Sequence, residues 1–130
     1  MTSLDEVTTA AAALVDAFSR HDTDAYFAAF APDASFIFHN NDSIIRSRKE
    51  YQDLWASWET EGFRVLGCTS IGGIVLMLGD DVGVFTHQVR TVLADGDSSV
   101  ETGERETIVF QRFGTTWLGV HEHLSVDPVF

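Results

Sequence analysis

The chain has 130 residues, 45% of them hydrophobic and 22% charged, so we expect one globular domain over residues 1–130. Twenty acidic and eight basic side chains give a net charge of −12, which argues against nucleic-acid and anionic-membrane partners. The single cysteine, Cys68, rules out an internal disulfide. Because the N-terminus lacks the basic residues of a targeting signal and the longest apolar stretch is Ile74–Leu78, we predict a cytoplasmic protein without a membrane segment.

Three helices are predicted in the first half of the chain. Apolar residues at helical spacing indicate a helix over residues 3–19, with Thr2 or Ser3 as its N-cap. A short second helix is expected to end at Pro32. Its inward-facing side chains are Tyr26, Phe27 and Phe30. A third helix is predicted over residues 48–60 from the stripe of Tyr51, Leu54, Trp55 and Trp58.

The remaining segments have the β-branched and aromatic composition of strands. A first strand is predicted over Ser35–His39, and long strands follow from Phe63 onward. Turn or bulge signals that contain glycine interrupt them at residues 72–73, 79–81, 95–97 and 114–116. Since strands and helices do not alternate and no glycine-rich phosphate loop is present, we predict an α+β fold with helices packed on three or four long antiparallel strands.

Alternation along the strands predicts which side chains face the helices. In the last strand the inner set is Leu118, Val120, Glu122 and Leu124, and the outer set is Trp117, Gly119, His121, His123 and Ser125. In the two preceding strands the inner sets are Phe85, His87, Val89 and Leu93, and Glu106, Ile108 and Phe110. The pattern therefore places the ionisable side chains of His87 and Glu122 among apolar neighbours.

Glu122 and His87 are accordingly the candidate catalytic residues. Burial among leucine and valine side chains raises the pKa of a carboxyl group, which produces a general acid or base that works near neutral pH. The alternative for Glu122 is a structural carboxylate held by an inner arginine or by Tyr26. His87 either exchanges a proton with a ligand together with Glu122 or is a hydrogen-bonded core residue.

His121 and His123 lie on the predicted outer face, two residues apart. That spacing allows both imidazoles to contact one metal ion if a third ligand is near. No acidic residue or cysteine at a metal-binding spacing accompanies them, so we predict no metal site. Hydrogen bonding at an interface between two copies of the chain is the favoured role.

Three segments of the sequence resemble a known family. They are YFAAFAPDASF at residues 26–36, the helix with Tyr51 and Trp55, and WLGVHEHLS at residues 117–125. Together they look like a SnoaL-like protein of the nuclear transport factor 2-like superfamily, and the resemblance covers nearly the whole chain. Residues 104–125 are also similar to the association domain of calcium/calmodulin-dependent protein kinase type II.

The resemblance implies a conical barrel in which a strongly curved antiparallel sheet wraps around about three N-terminal helices. It also implies a pocket at the open end and a homodimer formed through the outer face of the sheet. Phe38 stands where ketosteroid isomerases of this superfamily carry their aspartate base. Apolar Val89, Ile108 and Leu124 stand where the kinase association domain has pocket arginines. These departures argue against that isomerase chemistry and against carboxylate binding by that route.

The resulting hypothesis is a small-molecule-binding pocket protein, a cofactor-independent lyase, isomerase or hydratase in which Glu122 and His87 exchange a proton with an apolar ligand. The candidate ligand-binding residues are Tyr26, Phe38, His39, Tyr51, Trp55, Trp58, Phe85, Phe110 and Val120. The alternative is a non-catalytic homodimerisation or accessory module, in which the aromatic side chains form an ordinary core. The expected partners are a second copy of the chain and an apolar small molecule.

Overall fold

A computed structural model describes residues 1–130. It contains three helices and five strands, and the first strand lies between the second and the third helix. The helices are α1 (Ser3–Ser19), α2 (Thr23–Ala28) and α3 (Arg48–Thr60). The strands are β1 (Phe30–Phe38), β2 (Val65–Met77), β3 (Val82–Asp95), β4 (Ser98–Phe113) and β5 (Thr116–Val126). None of the helices has the length and apolar character needed to cross a bilayer.

Side-chain caps explain where the two long helices begin. The Thr2 hydroxyl accepts from the Asp5 amide at 3.1 Å while the Asp5 carboxylate accepts from the Thr2 amide, so two free amides of the first turn are satisfied reciprocally. At the start of α3 the Ser47 hydroxyl accepts from the Glu50 amide at 3.1 Å, while the Glu50 carboxylate accepts from the Arg46 amide. The predicted bounds of 3–19 and 48–60 are confirmed.

The predicted end of the second helix was wrong. Helix α2 ends at Ala28, and both Phe30 and Pro32 belong to strand β1. The Ala29 carbonyl accepts from the Gly119 amide at 2.9 Å, which attaches the chain to β5 before Pro32 is reached. Because β1 is an edge strand, it tolerates a proline that has no amide to donate.

The strands form one sheet in the order β1-β5-β4-β3-β2. All neighbours are antiparallel except β1 and β5, which are parallel. Helix α1 packs on β2 and β3, and α3 packs on β1 near the opposite edge, so the sheet curls over the helices without closing. The predicted α+β class, with helices inside a strongly curved and mostly antiparallel sheet, is confirmed.

A β-bulge in β5 changes the faces predicted for its first half. His121 pairs with Val109, but the next pair is Gly119 with Phe110, so Val120 is an extra residue. The prediction that Trp117 and Gly119 face outward was therefore wrong. Trp117 is buried and its indole N–H donates to Glu6 of α1 at 2.9 Å. Leu118 and Val120, expected inside, are only half-buried.

Beyond the bulge the predicted alternation holds. Glu122 is 3% exposed and pairs with fully buried Ile108 of β4. The core beneath it is largely aromatic: Tyr26 and Phe27 of α2 pack with Tyr51 and Trp55 of α3, with ring centroids 4.9 to 6.2 Å apart. Glu122 is thus held at the boundary between the sheet and an aromatic helical layer.

Candidate functional site

A cavity of about 470 Å³ lies between the helices and the sheet, within the size range of small-molecule pockets. Five of the predicted ligand-binding residues line it: Tyr26, Phe38, His39, Tyr51 and Trp58. The other four, Trp55, Phe85, Phe110 and Val120, do not line it. Of these, Trp55, Phe85 and Phe110 are buried in the hydrophobic core instead. The cavity therefore lies at the end of the sheet formed by the last residues of β1 and β5 and the first half of β4.

Glu122 lines this cavity and accepts a hydrogen bond from the Tyr26 hydroxyl at 3.2 Å. The Tyr26 oxygen lies 2.9 Å from the Tyr51 oxygen, so Tyr51 donates to Tyr26 while Tyr26 donates to the carboxyl group. Burial, reinforced by the nearby Glu122 charge, raises the pKa of both tyrosines well above the usual value. Both hydroxyls therefore stay neutral donors. The partner predicted for a structural carboxylate, Tyr26, is present.

A second carboxyl group, Glu106 of β4, is a close neighbour of Glu122 of β5 on the same face of the sheet, and both line the cavity. Burial raises the pKa of Glu122 well above its usual value, and the neighbouring Glu106 raises it further. The pKa of Glu106 is also raised by burial. Two like charges so close cannot both ionise without a large cost, so the pair keeps one proton to a higher pH than an isolated carboxyl group does.

Sequence reasoning placed Glu106 on the inner face but did not assign it to the site. The available signal was the alternation itself, because Glu106 and Glu122 both fall on inner positions of neighbouring strands. What the sequence lacks is the register of those strands. In the structure Glu106 pairs with Leu124 and Glu122 with Ile108, so the two carboxyl groups are diagonal neighbours on one face.

His87 does not line the cavity, although it faces inward as predicted. Its fully buried imidazole lies behind Glu106, with Nε2 at 2.6 Å from Glu106 Oε1 and Nδ1 at 2.6 Å from Ser70 Oγ. Burial lowers the pKa of His87 to about 4. The contact with Glu106 is thus a hydrogen bond of a neutral imidazole at pH 7, despite its ion-pair distance.

Two other acidic residues that line the cavity contact basic side chains. His39 of the rim loop lies 2.6 Å from Glu104, with both side chains partly exposed. Asp127 accepts from Arg90 at 2.9 Å and from the Val129 amide at 3.1 Å, and this backbone hydrogen bond is the main reason for its lowered pKa. Phe130 packs against Gly103 and beneath the Arg90 guanidinium, so the last residues of the chain cover part of the cavity wall.

The structure also defines the surroundings of Cys68 and of the pair His121 and His123. Cys68 lines the cavity, and burial raises the pKa of its thiol to about 11, which keeps it uncharged and weakly nucleophilic at neutral pH. The rings of His121 and His123 are 6.3 Å apart, and His121 Nδ1 lies 2.8 Å from Ser35 Oγ of β1. No group of three or more His, Cys, Asp or Glu side chains is arranged to hold a metal ion.

An open, curved sheet that encloses helices and a cavity is the architecture of the nuclear transport factor 2-like fold, and solved structures of that class are similar to this chain. One is a nuclear transport factor 2-like protein from Cytophaga hutchinsonii, with a TM-score of 0.79 and 13% identity over 98% of this chain and 100% of that one. Another is a ketosteroid isomerase-like protein from Erwinia carotovora atroseptica, with a TM-score of 0.79 and 17% identity over 95% of each chain.

A third similar structure is the calcium/calmodulin-dependent protein kinase II hub homology domain of Chlamydomonas reinhardtii, with a TM-score of 0.74 and 19% identity over 98% of this chain and 99% of that one. The family model of the SnoaL-like domain matches residues 7–128. This chain therefore belongs to the SnoaL-like domain family, and the predicted resemblance is confirmed. None of the curated proteins matches it in sequence. At these identities the structural similarity establishes the fold alone.

Proposed function

We propose that this protein binds a small, largely apolar molecule in its cavity and transfers a proton to or from that molecule through Glu122. The reaction class is that of a cofactor-independent lyase, isomerase or hydratase. The observation that carries the proposal is the buried carboxyl pair of Glu122 and Glu106, which lies in the wall of an aromatic-lined cavity of about 470 Å³. A pair that shares one proton can both give and accept it.

The neighbouring groups support this role. When Glu122 holds the proton of the pair, it donates that proton to the ligand; when Glu106 holds the proton, the Glu122 carboxylate accepts one from the ligand. The Tyr26 and Tyr51 hydroxyls remain neutral because burial raises their pKa, and Tyr51 donates to Tyr26 while Tyr26 donates to Glu122, so the two tyrosines orient the Glu122 carboxyl group toward the ligand. His87 acts through Glu106 in this proposal, as a positioning residue that fixes the orientation of that carboxyl group.

The test is a panel of cyclic enones, β-hydroxy ketones and epoxides assayed with the wild-type protein, Glu122→Gln and the control Glu61→Gln. Glu61 is exposed at the end of α3, away from the cavity. For any substrate turned over, we expect kcat/KM of Glu122→Gln to fall about 100-fold or more, which is the usual contribution of a general acid or base. Equal activity of Glu122→Gln and the wild type would remove Glu122 from the mechanism.

A second candidate function is homodimerisation through the outer face of the sheet, with or without catalysis. It is supported by the half-buried Val109, Thr107 and His121 on that face and by the similarity in fold to a kinase hub homology domain. Trp117, which was predicted to belong to this surface, is buried beneath α1 and contributes nothing to it.

Sedimentation equilibrium tests this second candidate. We expect the wild-type protein to have twice the monomer mass at micromolar concentration, and Val109→Lys to shift the equilibrium toward monomer because it places a charge in the interface core. Thr9→Lys, on the exposed side of α1, is the matched control. A wild-type protein that sediments as a monomer would exclude the dimer at that concentration.

A further inference from the structure

The charged residues that line the cavity are all of one sign. Five lining residues are acidic: Glu101, Glu104, Glu106, Glu122 and Asp127. No lysine or arginine lines the cavity, and the rim residue His39 is the one imidazole. An anionic ligand inside this cavity would therefore meet repulsion without a compensating hydrogen-bond donor of positive charge.

Two of these acids already have a basic partner. Glu104 lies 2.6 Å from His39, and Asp127 is paired with Arg90. Neither Glu106 nor Glu122 has a lysine or arginine partner. The partner of Glu122 is Tyr26, and that of Glu106 is the imidazole of His87, whose pKa burial lowers to about 4. The inner wall of the cavity thus contains two carboxyl groups without a lysine or arginine beside them.

The rest of the cavity wall is rich in aromatic side chains. Seven aromatic side chains line the cavity: Phe18, Tyr26, Phe38, Tyr51, Trp58, Phe63 and Phe130. Aromatic faces bind apolar groups and also attract cations through their quadrupole. The net charge of −12 adds a long-range field that concentrates cations and disfavours anions around the whole molecule.

We propose that the ligand class of this cavity is the protonated amine on a largely apolar body, bound with its ammonium group between the Glu106 and Glu122 carboxyl groups. This inference rests on the proposed function, because it assigns a ligand class to the same cavity. On binding, the ligand N–H groups donate to the two carboxylates in place of the proton that the pair shares, and that proton leaves to solvent. The ligand keeps its own protons, so one proton is released for each amine bound.

The test uses three probes with one apolar body and different head groups: 4-phenylbutylamine, 4-phenylbutan-1-ol and 4-phenylbutanoic acid. Their affinities are measured by isothermal titration calorimetry with the wild-type protein, Glu122→Gln and Glu61→Gln. For the wild type we expect the amine to bind at least about 10-fold more tightly than the alcohol, and the acid to bind more weakly than the alcohol. Glu122→Gln removes one ionisable carboxyl group, so the amine should lose about 10-fold while the alcohol changes less than about twofold.

Proton release is the second readout. The groups that face Glu122 are Tyr26 from α2, Tyr51 from α3, Glu104 and Glu106 from β4, and His87 from β3. Of these, the neighbouring carboxyl groups of Glu106 and Glu122 release the proton. Amine affinity should therefore rise as pH rises above the ordinary carboxyl pKa of 4.5, and the apparent enthalpy should depend on the ionisation enthalpy of the buffer. The alcohol should show neither effect.

The outcomes separate this inference from the proposed function. If the alcohol binds as tightly as the amine, or the acid binds more tightly than both, the cavity binds ligands but the assignment to amines is wrong. An amine that binds without proton release and with equal affinity to Glu122→Gln would overturn the placement of its ammonium group. If no probe binds at millimolar concentration, the small-molecule pocket itself is contradicted, and the amine assignment with it.

Discussion

The carboxyl pair has a thermodynamic signature that can be measured without a substrate. Glu122 is fully enclosed, and its pKa lies well above the ordinary value of 4.5 because of burial and the neighbouring Glu106. A carboxyl group whose pKa is raised in the folded state binds its proton more tightly there than in the unfolded chain. The stability it contributes is complete below pH 4.5 and is lost as pH rises toward the folded pKa.

Glu122→Gln should remove this pH dependence, because glutamine resembles the protonated carboxyl group and cannot ionise. The difference in unfolding free energy between the variant and the wild type should grow in favour of the variant by about 1.4 kcal/mol per pH unit above pH 4.5. Urea denaturation at a series of pH values measures it. A constant difference across the series would show that the pKa of Glu122 is not raised.

His87 should give the opposite slope. Its pKa falls from 6.5 to about 4 on folding because of burial, so its stability contribution is complete above pH 6.5 and is lost as pH falls toward 4. The wild type should therefore lose a few kcal/mol over this range relative to His87→Gln, which cannot titrate. Nuclear magnetic resonance provides a direct check, since the His87 ring carbon shifts should stay constant down to about pH 5. A transition near pH 6.5 in those shifts contradicts the burial argument.

At this scale the sequence was sufficient to find the buried ionisable residues and one partner, Tyr26 for Glu122, but it did not identify the contacts of Glu106 with Glu122 and His87. Alternation placed Glu122 and His87 on the inner face correctly, since burial follows the period of two. His87 lies behind Glu106 and outside the cavity. This position depends on which residues are cross-strand neighbours. His87 pairs with Glu106 in the β3–β4 register, and such pairs are set by turns and bulges that the local pattern leaves open.

For helices and strands, too, the features set by local sequence were predicted correctly and those set by contacts between distant segments were not. The two long helices begin and end where predicted, because caps and apolar spacing are local signals. The predictions for the end of α2 and for the faces of Trp117 and Leu118 were wrong because these features depend on β5. The parallel pairing of β1 with β5 sets the end of α2, and the bulge at Val120 sets the faces of Trp117 and Leu118.

The close approach of β1 and β5 makes a specific prediction for Gly119. A Cβ atom there would lie 2.8 Å from the Phe30 ring, which is fully buried and cannot move aside. Gly119→Ala should therefore lower the unfolding free energy by about 1–3 kcal/mol through overpacking. Gly67→Ala is the matched control, because a Cβ atom at Gly67 meets nothing within 4 Å. Urea denaturation that gives equal stabilities for the two variants would contradict the predicted clash.

For the whole molecule, the net charge of −12 is the dominant electrostatic property. Self-repulsion destabilises the compact state, and salt screens it, with a Debye length that falls from about 30 Å at 0.01 M to about 8 Å at 0.15 M. The thermal midpoint should therefore rise by several degrees over this range of NaCl, by about the same amount in KCl. Differential scanning calorimetry measures the midpoint, and a midpoint that falls with salt would mean that attractive ion pairs dominate instead.

The parallel pairing of Phe30–Phe38 with Thr116–Val126 has a consequence for synthesis on the ribosome. Of the five strands of this sheet, β5 is translated last, and no other strand pairs with β1. Until it emerges, the aromatic side chains of β1 and the inner side of α1 that receives Trp117 lack their native neighbours. The nascent chain must carry this exposed surface until residues 116–126 have emerged, and a product truncated before residue 116 would be a target for aggregation and proteolysis.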